Sequence, residues 1–115
     1  MSVCIKLVDI TSTGMSLICE IVVGDFVYRK LEDFTERGTF HIGNEEFLDA
    51  EYVPEDDLHA VTAVLEGCIS DINSRGVTHA VSDAVLVGLG GLHEMADIVD
   101  DLPDRKLFIL IDKLN

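Results

Sequence analysis

Between Leu58 and Ile72, apolar residues recur at spacings of three and four: Leu58, Val61, Leu65, Cys68 or Ile69, and Ile72. That period puts side chains on one face of an α-helix, so the segment predicts an amphipathic helix that must bury one stripe against something else. Its ends are also marked. Pro54 stands where a first helical residue belongs, and Glu55, Asp56 and Asp57 follow it at the positive end of the helix dipole. Arg75-Gly76 then supplies a cation in the last turn and a residue suited to a left-handed stop. The helix should cover about 21 residues, and it divides the chain into a first half that precedes it and a last third that follows.

The first third is strand-like. Val3 to Ile10 is rich in β-branched residues, and Met15 to Val23 alternates Leu17, Cys19 and Ile21 against Ser16 and Glu20. Phe26 to Leu31 follows a Gly24-Asp25 turn signal, so three antiparallel strands in a meander are expected. Residues 36–52 mix apolar residues with turn formers and hold no sustained period. They read as a loop with a short strand at Thr39 to Ile42.

After the helix, Val77 to Ser82 reads as a short buried strand, extended by Asp83 to Leu86, before the glycine cluster Gly88, Gly90 and Gly91. A second helix is expected from Leu92 to Asp101, closed by Pro103, and Lys106 to Ile111 has the pattern of a strand covered on both faces. The resulting fold class is α/β, a mixed five-stranded sheet in β-β-β-α-β-α-β order with helices on both faces, forming one domain over residues 1–115. Strands joined through single helices would be parallel with right-handed crossovers.

Composition narrows the function classes. The 115 residues are 48% hydrophobic, enough for one core, and carry 8 Lys plus Arg against 22 Asp plus Glu, a net charge of −14. A field of that sign repels phosphate backbones and anionic membranes, so neither nucleic acid nor a membrane is an expected partner. Apolar runs reach only four or five residues, short of the ~20 that a spanning helix needs. The opening M-S-V-C-I-K-L-V-D-I lacks the basic and apolar regions of a signal peptide, and Cys4, Cys19 and Cys68 have no paired spacing. Both features point to the cytoplasm. The four histidines and the two acidic clusters show no metal-site spacing.

The order of these elements, together with several local strings, resembles the N-terminal domain of the exopolyphosphatase and guanosine pentaphosphate phosphohydrolase (Ppx/GppA) family, of the actin-like, ribonuclease-H-like fold. L-V-D-I-T-S-T-G-M-S-L at 7–17 is similar to that family's phosphate-binding turn between its first two strands, and E-I-V-V-G-D-F-V-Y-R-K-L-E at 20–32 to its second and third strands. Residues 52–85 look like its helix, its turn and the strand entering its catalytic motif, and residues 92–111 like its second helix and last strand. The departures fall on the chemistry. Thr11 stands for a glycine, Ser16 for a basic residue, and Val85 and Leu86 for an Arg and a catalytic Glu, with only Asp83 in reach as a carboxylate. An aliphatic side chain can neither take a proton from water nor neutralise a phosphate oxygen.

The resemblance therefore implies a stand-alone, catalytically degenerate domain that acts as a binding or assembly module, with a second copy or another protein as partner. A phosphohydrolase completed by a second copy or a separate chain is the alternative, with Mg²⁺ as its ion. No catalytic residue is assigned. Candidate phosphate or ligand contacts are Asp9, Thr11, Ser12, Thr13, Gly14, Arg37, Gly88, Gly90 and Gly91, with Asp9 also the candidate metal ligand, and the expected ligand is a phosphate-containing small molecule. Each has a plainer reading. Asp9 and the Thr11 to Gly14 segment suit a tight turn between strands, and Gly88 to Gly91 a flexible turn before a helix.

Overall fold

A computed structural model describes residues 2–11, 13–43, 46–75 and 79–114. The strands are β1 (Ser2–Thr11), β2 (Gly14–Gly24), β3 (Glu36–Ile42), β4 (Glu46–Val53) and β5 (Leu107–Leu114). The helices are α1 (Asp25–Leu31), α2 (Leu58–Arg75) and α3 (His79–Asp101), with single 3₁₀ turns at Glu32–Phe34 and Glu55–Asp57.

The five strands form one sheet in the order β2-β1-β5-β4-β3, and every neighbouring pair is antiparallel. The expected mixed, ribonuclease-H-like sheet does not form, and the connection between β4 and β5 gives the reason. Two successive helices, α2 and α3, lie between these strands, so the chain goes out and returns. A single crossover helix would have delivered β5 parallel to β4; the helical pair delivers it antiparallel.

Three segments depart from the sequence reading in ways that change the topology. Phe26 to Leu31 belongs to α1, not to a third meander strand: Gly24 caps it in extended backbone with φ −80°, Asp25 pairs with Arg29 one turn on at 3.0 Å, and Val27, Tyr28 and Leu31 are buried at helical spacing. The expected strand at Val77 to Ser82 begins outside the described residues, and from His79 onward the chain is helical. The helix runs straight through Gly88, Gly90 and Gly91, because Val85, Leu89, Leu92, Met95, Ala96 and Val99 keep one stripe in the core and burial outweighs the poor propensity of glycine. The stretch at 36–52, read mostly as loop, holds two paired strands, β3 (Glu36–Ile42) and β4 (Glu46–Val53).

All three helices cover the same face of the sheet, contrary to the expected two-sided arrangement. Val3, Ile5 and Leu7 of β1, Val23 of β2, Val53 of β4, and Leu107, Ile109 and Ile111 of β5 meet the buried stripes of α1, α2 and α3 there. On the opposite face, Val8, Ile10 and Leu110 pack with Phe40, Ile42, Leu48, Tyr52 and Phe108. That second cluster exists because the hairpin curls back. β4 pairs with β5 only through Glu51, Tyr52 and Val53, after which the hairpin crosses the open face and sets the Phe40 ring 4.8 Å from Phe108, edge to face. Gly38 makes room for this: the Tyr52 ring lies over it, so that an added Cβ would sit 2.9 Å from Tyr52 Cε1. So β5 is covered on both faces, one by helices and one by aromatic side chains. Among the described residues, no helix is long and apolar enough to cross a membrane.

Candidate functional site

The curl of the hairpin leaves a cleft of about 660 Å³ between β3, the C-terminal end of β1 and the loop that enters β5. Its floor is apolar, with Ile10, Phe40 and Phe108. Its charged wall is Asp9, Asp104, Arg105 and Lys106, which holds two of the chain's eight basic residues.

The local sequence explains how Arg105 is held. Pro103 follows the end of α3 and cannot continue it, and the Arg105 N–H donates to the Leu102 carbonyl at 3.1 Å, closing a tight turn. The Ile10 N–H then donates to the Lys106 carbonyl at 3.1 Å, tying that turn to β1. In this setting Arg105 Nη1 donates a 2.8 Å hydrogen bond to Asp9 Oδ2. The Asp9 side chain is only 8% exposed, whereas Arg105 is 59% exposed. A buried carboxylate therefore fixes one end of a guanidinium whose other N–H groups find no protein acceptor among the described residues.

The threonines around the cleft are already engaged. Thr11 Oγ1 lies 2.9 Å from Thr13 Oγ1, accepts from the Thr13 N–H at 3.3 Å and donates to the Gly14 carbonyl at 3.3 Å, so these hydroxyls build the β1–β2 turn. Gly14 has a φ of +140°, which a side chain would strain. The Thr39 hydroxyl donates to Asp49 at 2.6 Å, and the His41 ring lies 5.0 Å from the Phe47 ring.

Of the residues singled out from sequence, the cleft brings together Asp9 and Thr11, with Thr13 and Gly14 in the adjoining turn. Ser12 lies outside the described residues. Gly88, Gly90 and Gly91 do not form a turn facing this cleft. They lie inside α3, where an added Cβ would come within 3.2 Å of Val27 at Gly88 and 2.7 Å of Ile21 at Gly91, so these two glycines let the helix approach α1 and β2 closely. Arg37 pairs with Glu51 across the β3–β4 ladder and does not line the cleft. Val85 is a core residue of α3, while Leu86 and Asp83 are exposed on it. Arg105 was the missed residue, and its signal was the Pro103-Asp104-Arg105-Lys106 string in a chain otherwise poor in cations.

An Mg²⁺ ion at Asp9 does not fit this donor set. Oδ2 is held by a guanidinium that would repel the cation, and no group of three or more His, Cys, Asp or Glu could hold a metal among the described residues.

A second polar cluster sits on the helix face of the sheet. The Tyr28 hydroxyl donates to Glu51 Oε1 at 2.8 Å, and Lys113 Nζ lies 3.8 Å from Glu51 Oε2 and 5.0 Å above the Tyr28 ring. Burial, joined by the Glu51 carboxylate and opposed by Lys113, pushes the Tyr28 phenol above its ordinary range. The neighbouring Tyr28 phenol, and then the charge of Glu51, push Lys113 up in turn. Every buried side-chain polar atom here has a partner, and none of the three residues lines the cleft described above. It serves the fold. Burial likewise raises the thiols of Cys4 and Cys19, with Glu20 and Glu94 adding to it respectively.

Compared with protein-family models, curated proteins and solved structures, the chain matches none.

Proposed function

We propose that this domain is a binding module whose ligand is a small molecule bearing anionic oxygens, phosphate or carboxylate, on an apolar body. The observation that carries the reading is the anchored guanidinium: Asp9 orients Arg105 before any ligand arrives, beside a floor made by Phe40 and Phe108. Preorganisation lowers the ordering cost of binding, and a charge-assisted hydrogen bond to the remaining N–H groups would supply the contact. Lys106 stands next to it as a second cation. In a chain of net charge −14, the cleft sets two of the eight Lys and Arg residues against two acids, Asp9 and Asp104. The three cysteines, with Cys4 and Cys19 unpaired, suit the reducing conditions of the cytoplasm.

The hydrolytic alternative has less to rest on. The cleft's buried carboxylate is paired with Arg105 and its side chain is nearly closed to water, whereas a general base needs water within reach.

Calorimetric titration tests the reading with inorganic phosphate, phenyl phosphate, benzoate and neutral benzyl alcohol. Phenyl phosphate should bind more tightly than inorganic phosphate, benzyl alcohol should not bind, and Arg105→Met should weaken phenyl phosphate about ten- to hundredfold, the worth of a hydrogen bond to a charged group. Absence of binding by all three anions, or an unchanged affinity in Arg105→Met, would overturn it.

A further inference from the structure

We infer that β2 is the seam of a symmetric dimer, pairing antiparallel with the β2 strand of a second copy. The two edges of the sheet are unlike. β3 carries Glu36, Arg37 and His41, whereas the eleven-residue β2 carries Glu20 as its one charge. Beyond Glu20 and one bulge, β2 has none of the devices that blunt a natural sheet edge.

Exposed aliphatic side chains gather along this edge. Leu17 is 53% and Val22 58% exposed, and both lie on the sheet face that the helices leave open, together with Met15. On the helix side, Gly91 rests on Ile21 of β2, and Val87, one turn earlier on the same stripe of α3, is 67% exposed. The unpaired backbone edge thus has an apolar strip below it and another above it.

A second copy is the occupant that this surface fits. Antiparallel pairing about a twofold axis sets the same strip, with Glu20 as its one charge, against itself and closes the assembly, giving one continuous ten-stranded sheet from two five-stranded ones. Pairing of β2 with the charged β3 edge of another copy would lose that match and would be heterologous, leaving one edge of each pair open to a further copy. The length is also adequate: the eleven residues of β2, at about 3.3 Å each, span about 36 Å, roughly twice an average strand, so two copies can share a long ladder.

Sedimentation equilibrium on the full chain tests this. The native chain should sediment at twice its 12.6 kDa mass. Leu17→Lys/Val22→Lys should return it to a single-chain mass, although the added cations reduce the repulsion between copies. Phe47→Lys, on the β3–β4 hairpin, makes the same kind of charge change elsewhere and should leave the dimer intact. Val87→Glu tests the α3 side and should weaken association at least tenfold; if the double variant fails to fold by circular dichroism, this one decides. A native chain at single-chain mass up to millimolar concentration overturns the inference. So does a folded Leu17→Lys/Val22→Lys variant or a Val87→Glu variant that stays fully dimeric, or a Phe47→Lys variant that dissociates equally.

Discussion

Arg105 and Asp9 are 96 residues apart in sequence and joined by a 2.8 Å hydrogen bond that links the loop entering the last strand to the end of the first. The two ends of this bond are unequally buried, so its two halves should respond differently to mutation. Arg105→Met strands a carboxylate that is nearly inaccessible to water, at a cost of about 1–3 kcal/mol. Asp9→Asn keeps an acceptor for the guanidinium, which is exposed enough to be hydrated, and should cost under about 1 kcal/mol. Anion binding should separate the pair in another way. Arg105→Met weakens it about ten- to hundredfold, whereas Asp9→Asn retains it because a competing negative charge has gone. Urea midpoints and phenyl phosphate titrations on both variants check this; equal stability losses would remove the asymmetry.

The three glycines of α3 should divide according to what their missing side chains would touch. Nothing lies within 4 Å of a Cβ built on Gly90, so Gly90→Ala should stabilise the helix by about 0.5–1 kcal/mol. At Gly91 the same atom would sit 2.7 Å from Ile21 Cγ2 and Cδ1, close to the β2 backbone, and α3 would have to lift off the sheet. Gly91→Ala should destabilise by about 1–3 kcal/mol. Urea denaturation midpoints moving in opposite directions would establish that these glycines serve packing.

The same glycines show where the sequence was legible and where it was not. α2 announced itself through Pro54, three acids and a 3–4 apolar period, and the structure places it at Leu58–Arg75 after a 3₁₀ turn at Glu55–Asp57. β1, β2 and β5 were also readable from alternation and β-branched content. Gly88, Gly90 and Gly91 look like a loop to any local criterion, because what holds them helical is the contact of α3 with Val27 and Ile21, which no window of sequence contains. In α1 the β-forming residues Phe26, Val27 and Tyr28 masked a helix whose signals, Asp25 with Arg29 and a 3–4 buried spacing, were present but only seven residues long. The expectation of a mixed sheet followed from those two misreadings, since reading α3 as strand plus helix turned one helical pair into two crossovers, whereas the observed sheet is antiparallel throughout. At the site, Asp9 and Thr11 were legible as strand-end polar residues. Arg105 was not, because its importance comes from a partner 96 positions away.

Tyr28 should make stability sensitive to alkali. Its folded-state pKa lies above the ordinary value, mainly through burial, so the folded protein holds the phenolic proton more tightly than the unfolded chain. The stabilisation is present in full below about pH 10, the unfolded value, and is lost as pH rises through the folded one. Lys113 is shifted upward as well and acts in the same sense. Thermal melts of the native protein should therefore fall steeply above about pH 10. In Tyr28→Phe the Glu51 carboxylate keeps only Lys113, which costs about 1–3 kcal/mol at neutral pH, and the alkaline fall should flatten. An absorbance titration at the tyrosinate band, compared between the native protein and Tyr28→Phe, assigns the late-ionising group. An identical alkaline slope in both proteins would contradict the assignment.

Salt should strengthen the β2-paired dimer. Each copy carries a net charge of −14, while the seam itself offers Glu20 on the strand and Glu94 on the overlying helix. Attraction along it is apolar and backbone-mediated, which added electrolyte leaves in place, and repulsion between the two acidic bodies is long-ranged and screened. The screening length falls from ~10 Å at 0.1 M to ~3 Å at 1 M. Raising NaCl over that range should lower the dimer dissociation constant in sedimentation equilibrium, and the same gain should appear in Phe47→Lys. An interface built on ion pairs would respond in the opposite direction, so weakening with salt would mean that the copies meet through a charged surface and not through β2.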